Sequence, residues 1–213
     1  MTPPGFFVVL EGPEAAGKST LARAVVQRMH EDGIDPVLVH EPGGTPVAQA
    51  LRRELLDATR EWTPAMELLY MVTARADLVT RVIRPALAAG KVVISDRFDL
   101  STAAYQGAGR GLPADQVRWV NAAATGGLTP DLTLVLDVEP AEARRRQHQA
   151  GKGLDRIERE EPAFHARIAA AYAAATGPGV HHVEASASPA EVLGAAWRAI
   201  VAARPGQFRP RSA

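Results

Sequence analysis

The 213-residue chain contains no cysteine, so neither a disulfide framework nor a thiolate metal site is open to it, and a reducing compartment suits it. It also has no excess of either charge. Its 24 Lys and Arg stand against 24 Asp and Glu, a balance that argues against a general nucleic-acid or membrane surface while leaving room for specific anion pockets. No apolar run approaches membrane-spanning length, and Met1-Thr-Pro-Pro-Gly5 has no basic segment followed by an apolar stretch; a soluble cytoplasmic protein is expected. Repeats and low-complexity blocks are missing too, and the six histidines lie without metal-ligand spacing. The length suits one α/β domain over residues 1–203, with a frayed tail at 204–213.

What the chain does have begins at Gly12-Pro-Glu-Ala-Ala-Gly-Lys-Ser19, a Gly-x-x-x-x-Gly-Lys-Ser/Thr loop between the apolar run Phe6 to Leu10 and a helical run from Lys18. Gly12 and Gly17 let the backbone turn its amides inward around phosphates, and the helix that follows offers its positive N-terminus. Lys18 then reaches the β and γ oxygens, and the Ser19 hydroxyl is a ligand for Mg²⁺. Pro13, Glu14, Ala15, Ala16 and Thr20 complete the expected triphosphate loop. Where the phosphoryl group goes is not written in this loop.

Short β-branched runs recur at Phe6–Leu10, Pro36–Val39, Lys91–Ile94, Leu132–Leu136 and Val180–Val183. Helical patterns separate them at Lys18–Glu31, Pro64–Ala89, Pro113–Ala124, Ala141–Gln149, Pro162–Ala175 and Pro189–Ala202. The alternation predicts a five-stranded parallel sheet with helices on both faces, and ligands beyond the carboxyl ends of the strands. Gly33, Gly90 and Gly177 read as helix stops.

Asp96 and Arg97 follow the third strand. The carboxylate suits Mg²⁺ and the guanidinium fork suits phosphate, although a structural ion pair is the competing account. Arg75 sits one helical turn after Met71, an arrangement that fits either a base cradle or an ordinary amphipathic helix. Tyr105-Gln106-Gly107 and Gly109-Arg110-Gly111 read as a polar, flexible loop. Arg144, Arg145 and Arg146 suit a solvated helix face, whereas Lys152 and Arg156, in or beside a glycine turn, are the better candidates for a basic lid over about 147–157.

Taken together, these motifs resemble the thymidylate kinases, the bacterial branch in particular, from about Phe6 to about Ile200. The resemblance rests on Gly12 to Ser19, Glu41-Pro-Gly-Gly-Thr45, Arg75, Asp96-Arg97, Asp99-Leu-Ser-Thr102, Ala104-Tyr-Gln-Gly107, Pro130-Asp-Leu-Thr133, Leu136-Asp-Val138 and Leu154-Asp-Arg-Ile-Glu158. It implies a P-loop kinase fold with a short lid, a homodimer, and transfer of the γ-phosphoryl of ATP to dTMP with Mg²⁺. By resemblance Lys18 and Ser19 hold donor phosphates and metal, Asp96 organises the metal, and Arg97 grips the acceptor phosphate. Glu14 lies near the acceptor sugar, Arg75 bonds the thymine edge, and Tyr105 disfavours a 2′-hydroxyl. Ser101, Thr102 and Gln106 surround base and sugar, with Glu41 and Arg110 assisting. The acceptor phosphate is already anionic at neutral pH, so no general base is required.

Two departures stand out. Met71 replaces the family's stacking phenylalanine, giving up aromatic stacking worth about 1–3 kcal/mol on a base. Gln147, His148, Gln149 and Gly151 occupy part of the region where arginine is usual, which leaves Lys152 or Arg156 to supply charge at the transition state. A kinase for another deoxynucleoside monophosphate, a deoxynucleoside kinase and an ATP-hydrolysing P-loop switch are the rival readings.

Overall fold

Strand β1, Phe6–Glu11, is buried at every position because helices cover both faces of the sheet around it. The computed structural model describes residues 4–149, 155–206 and 208. Over these, β2 is Val37–His40, β3 Val92–Asp96, β4 Leu132–Asp137 and β5 Val180–Glu184, each within two residues of the expected run. All pairings are parallel, in the order β2-β3-β1-β4-β5.

Alternate residues of β1 serve opposite faces. Phe6, Val8 and Leu10 join Leu132, Leu134 and Leu136 beneath helices α1 (Lys18–Glu31) and α9 (Pro189–Ala203). Phe7 and Val9 instead meet Leu78, Ile83 and Phe98 on the other side. Each such side chain contributes about 1.5–3 kcal/mol by burial, so the central strands are the most firmly held part of the molecule. They end where chemistry is expected: Leu10 lies opposite Asp96, and the loops after β1 and β3 leave the sheet as neighbours.

Three stretches differ from the pattern read in the sequence. The single helix expected from Pro64 to Ala89 is α3 (Pro64–Leu78), a π-helical turn Val79–Ile83 and α4 (Arg84–Ala88). Pro85 is the cause. It has no N–H to donate and its ring would press on the carbonyl four residues back, so the preceding turn widens. Helix α2, Pro46–Leu56, was not expected, although Thr45 caps it by accepting from Ala48 N at 3.0 Å and Pro46 opens it. Finally, the expected flexible loop around Tyr105 is helical: α5 (Asp99–Thr102) runs on as π-helix Ala103–Gly109. Its glycine is needed for packing rather than mobility, since a Cβ on Gly109 would meet the Phe164 ring at 2.7 Å. Helices α6 (Ala114–Thr125), α7 (Pro140–Gln149) and α8 (Pro162–Ala173) complete the set among the described residues.

Candidate active site

The phosphate loop is bent by its glycines. Gly12 has φ 138°, and a Cβ there would meet the Leu136 carbonyl at 2.8 Å; Gly17 has φ 97° and caps α1 without any side chain. The first amides of α1 are therefore left for an anion. Lys18, nearly buried, donates from Nζ to the carbonyls of Gly12 (3.0 Å) and Pro13 (2.6 Å). Burial draws its ammonium down to about 8, helped by Arg97 and opposed by Glu14 and Asp96. Ser19 Oγ donates to Asp96 Oδ2 in a short hydrogen bond. Hydroxyl plus carboxylate is a hard-oxygen pair that fits Mg²⁺, an ion that takes its other ligands from phosphates and water. Among the described residues no cluster of three or more His, Cys, Asp or Glu offers a self-sufficient metal cage.

Arg97 occupies the left-handed region at φ 77°, as does Ala15 at 57°. Such backbone strain, of order 1–3 kcal/mol each, persists only where surroundings hold it. Here they do. Nη2 of Arg97 donates to Glu14 Oε1 (2.6 Å) and to the Tyr105 hydroxyl (3.1 Å); Nη1 donates to Gly12 O, Ser101 Oγ and the Tyr172 hydroxyl, each at 3.1 Å. Tyr105 also donates to Glu14 Oε1 at 2.8 Å. Burial alone would lift the Glu14 carboxyl, but Arg97, Lys18 and Tyr105 hold it at about 2. Behind this group lies Glu11, fully buried, accepting from the amides of Phe98 and Ser101 and from Ser101 Oγ.

A cavity of about 1000 Å³ joins these groups. Glu14, Ala15, Ala16, Gly17, Lys18, Ser19 and Thr20 line one part. Glu41, Met71, Asp96, Arg97, Ser101, Tyr105 and Gln106 line another. One continuous space is thus lined by the Gly17-Lys18-Ser19 loop, by the Arg97 guanidinium, and beyond it by Met71, Gln106 and the carboxylates Glu41 and Glu67.

Residues 10–195 match the family model described as Thymidylate kinase. The chain belongs to the thymidylate kinase family. It is 48% identical over 204 residues to the protein named thymidylate kinase from Cereibacter sphaeroides (strain ATCC 17029 / ATH 2.4.9), covering 92% of this chain and 94% of that one. Against the thymidylate kinase of Pseudomonas entomophila (strain L48) the identity is 45% over 206 residues, with 95% and 96% covered. That of Halorhodospira halophila (strain DSM 244 / SL1) is 48% identical over 179 residues, 81% of each chain.

Some residues that the thymidylate kinase pattern brought forward stand elsewhere than on the cavity. Arg75 is 1% exposed, behind the wall. Its Nε donates to Glu41 Oε2 (2.7 Å), Nη1 to Thr102 Oγ1 (2.8 Å) and, in a short contact, to Asn121 Oδ1, and Nη2 to Phe98 O (2.8 Å). Burial lifts the partnered Glu41 carboxyl to about 7 against the pull of Arg75. Thr102 and Arg110 also lie off the cavity, and Gly12 and Pro13 shape the loop through their carbonyls. Arg156 lines the cavity but bonds Leu55 O (2.9 Å) and Glu67 Oε2 (2.7 Å). Lys152 lies outside the described residues. Arg145 and Arg146, read as a solvated face, both line the cavity, and Arg146 is anchored to Ala185 O at 2.9 Å.

Glu67, Arg52 and Tyr172 are not among the residues singled out from the sequence. Glu67 had a signal: it is a carboxylate in an apolar helical run, one turn before Met71 on the same face. Arg52 lines the cavity and donates to Pro42 O at 2.9 Å, but it belongs to the unexpected α2. Tyr172 stands alone in an alanine-rich helix, and nothing local marks it.

Proposed function

We propose that this chain transfers the γ-phosphoryl group of ATP to dTMP, giving dTDP and ADP. What supports this is that one cavity is lined by both the Gly17-Lys18-Ser19 loop and the Arg97 guanidinium, which its hydrogen bonds hold in place. Lys18 and the first amides of α1 hold the donor phosphates. Ser19 and Asp96 would hold Mg²⁺, which when bound screens charge on the donor phosphates. Arg97 takes the acceptor phosphate, already an anionic nucleophile, so catalysis needs alignment and charge neutralisation rather than a base. Lys152, Arg145 and Arg146 are the cations we assign to the donor side.

Glu14 and Tyr105 border the sugar, where the phenol ring disfavours a 2′-hydroxyl. Met71 covers the base, with Ser101 and Gln106 around it. Gln106 Oε1 is buried with no partner while its Nε2 donates to Glu67 Oε1 at 2.8 Å, so the amide offers an acceptor that suits an imide N–H. Arg75 acts at one remove, holding Glu41 and Thr102, and Arg110 does so through Glu67.

We assign the enzyme to the cytoplasm, and no helix among the described residues is long and apolar enough to cross a membrane. A homodimer is favoured by Val47 (48% exposed), Met66 (45%), Leu69 (55%) and Trp119 (72%), large apolar side chains on the adjacent helices α2, α3 and α6. Light scattering giving the mass of one chain overturns that assembly. The reaction itself is tested by Mg²⁺- and ATP-dependent ADP release with dTMP, dUMP, the ribose form of TMP, dCMP and dGMP. Preference for dTMP with dTDP recovered supports the reading; equal use of all five removes the assigned base and sugar roles.

A further inference from the structure

Glu67 is 1% exposed, yet it carries a charge that phosphoryl transfer as described does not use. Four donor atoms from three residues on two segments fill its carboxylate. Oε1 accepts from Gln106 Nε2 (2.8 Å) and Arg110 Nε (3.2 Å); Oε2 accepts from Arg110 Nη2 (2.9 Å) and Arg156 Nη2 (2.7 Å). Burial would raise its pKa, but hydrogen bonds from Arg110, Gln106 and Arg156 overcome this and lower it, so the group is an anion with every acceptor site engaged.

The segment gripped in this way is the turn at 155–160, which is tied together by its own hydrogen bonds. Asp155 Oδ1 accepts from the amides of Ile157 and Glu158 at 2.9 Å each, and Glu158 Oε2 accepts from Asp155 N at 3.0 Å. Asp155, Arg156, Ile157 and Glu158 all line the cavity. Further polar ties fasten the turn to its surroundings. Arg156 Nε donates to Leu55 O at 2.9 Å, its amide to Leu56 O at 3.4 Å, and Glu160 pairs with Arg110 Nη1 at 2.6 Å, while Arg110 lies over the Phe164 ring at 4.5 Å. Arg110 is itself held by Glu67, so one carboxylate supports the turn by two routes.

We propose that Glu67 is a positioning residue that holds the 155–160 turn across the cavity and so keeps water from the γ-phosphoryl group. The proposal rests on the kinase reading above. When the turn is loosened, water takes the place of the acceptor phosphate oxygen: its oxygen bonds to the γ-phosphorus, the bond to the ADP oxygen breaks, and inorganic phosphate and a proton are released beside ADP. The signature is a changed partition between phosphate and dTDP, rather than loss of activity alone. Unfolded protein makes neither product, so the partition is independent of how much of a variant folds.

The test measures both products at saturating ATP and dTMP for wild type, Glu67→Gln, Arg156→Gln and the double variant, with Arg156→Lys as the conservative replacement. We expect the phosphate-to-dTDP ratio to rise about tenfold in each single variant, to rise in the double variant by clearly less than the product of the two because both break the Glu67–Arg156 pair, and to return partway in Arg156→Lys. Arg156 is partly exposed, so its variants keep the test open if Glu67→Gln does not fold. A ratio equal to wild type in Arg156→Gln, or single effects that multiply in the double variant, overturns the proposal and leaves the kinase reading standing. Wild-type enzyme that makes no dTDP overturns both.

Discussion

Replacing Tyr172 by phenylalanine removes one oxygen from behind Arg97 and leaves the ring in place. That hydroxyl accepts from Arg97 Nη1 at 3.1 Å, donates to Glu11 Oε2 at 3.1 Å and lies 2.9 Å from Ser101 Oγ. Burial raises the phenol pKa, so it acts as a neutral hydroxyl throughout the working range. Hydrogen bonds to charged groups contribute about 1.5–3 kcal/mol. Arg97 keeps Gly12 O and Ser101 Oγ, and Glu11 keeps two amides, so the net loss is nearer one such bond, about 2 kcal/mol. For a chain of this size, that lowers Tm by about 4–8 °C. The same loss at the acceptor grip corresponds to a fall of about 30-fold in kcat/KM for dTMP. Tyr172 does not line the main cavity, so KM for ATP should barely change. Steady-state kinetics with each substrate varied, alongside calorimetric melting, checks the split. A lowered Tm with kcat/KM for dTMP within twofold of wild type would refute the reasoning, because Tyr172 would then support the fold without aligning Arg97.

Other outcomes follow from the same geometry. Lys18→Met should cut kcat by about 100- to 1000-fold in single-turnover transfer while calorimetry finds dTMP binding intact. Because burial draws the Lys18 ammonium down to about 8, kcat/KM for ATP should descend as pH climbs through that value; a profile flat to pH 10 contradicts the assignment. Glu41, raised from 4.5 to about 7, keeps its proton in the folded state where the unfolded chain has lost it. Its contribution to stability is therefore full below pH 4.5 and lost as pH rises through 7, and melting of Glu41→Gln across that window should show a shallower decline than wild type. Met71→Phe should lower KM for dTMP at least fivefold, since stacking contributes about 1–3 kcal/mol per base; identical constants would dismiss the idea that Met71 weakens the pocket.

The strands and the phosphate loop were legible because their signals are local. β1 to β4 are short runs dominated by apolar or β-branched residues, β5 carries Val180 and Val183 among polar neighbours, and the loop needs particular residue types at fixed spacing. Asp96 and Arg97 were legible for a related reason, as polar residues ending a buried strand. By contrast, α2 was overlooked although Thr45-Pro46 marks its start, and the helical run through Tyr105 was hidden by its glycines, of which Gly109 serves the contact with Phe164. For Arg75 and Arg156 the direction was not legible: whether an arginine faces a cavity or a buried carboxylate depends on Glu41 and Glu67, far away in the chain. Tyr172 meets Arg97 and Glu11 across 75 and 161 residues, and no periodicity encodes such a meeting.

The most direct measurement follows the γ-phosphoryl group itself, with γ-labelled ATP, Mg²⁺ and dTMP incubated with enzyme and the products separated by chromatography. Label recovered in dTDP, matched one for one by ADP and dependent on dTMP, is the predicted result. Label released as inorganic phosphate at a rate that no monophosphate alters would contradict the account and describe an ATP-hydrolysing switch instead.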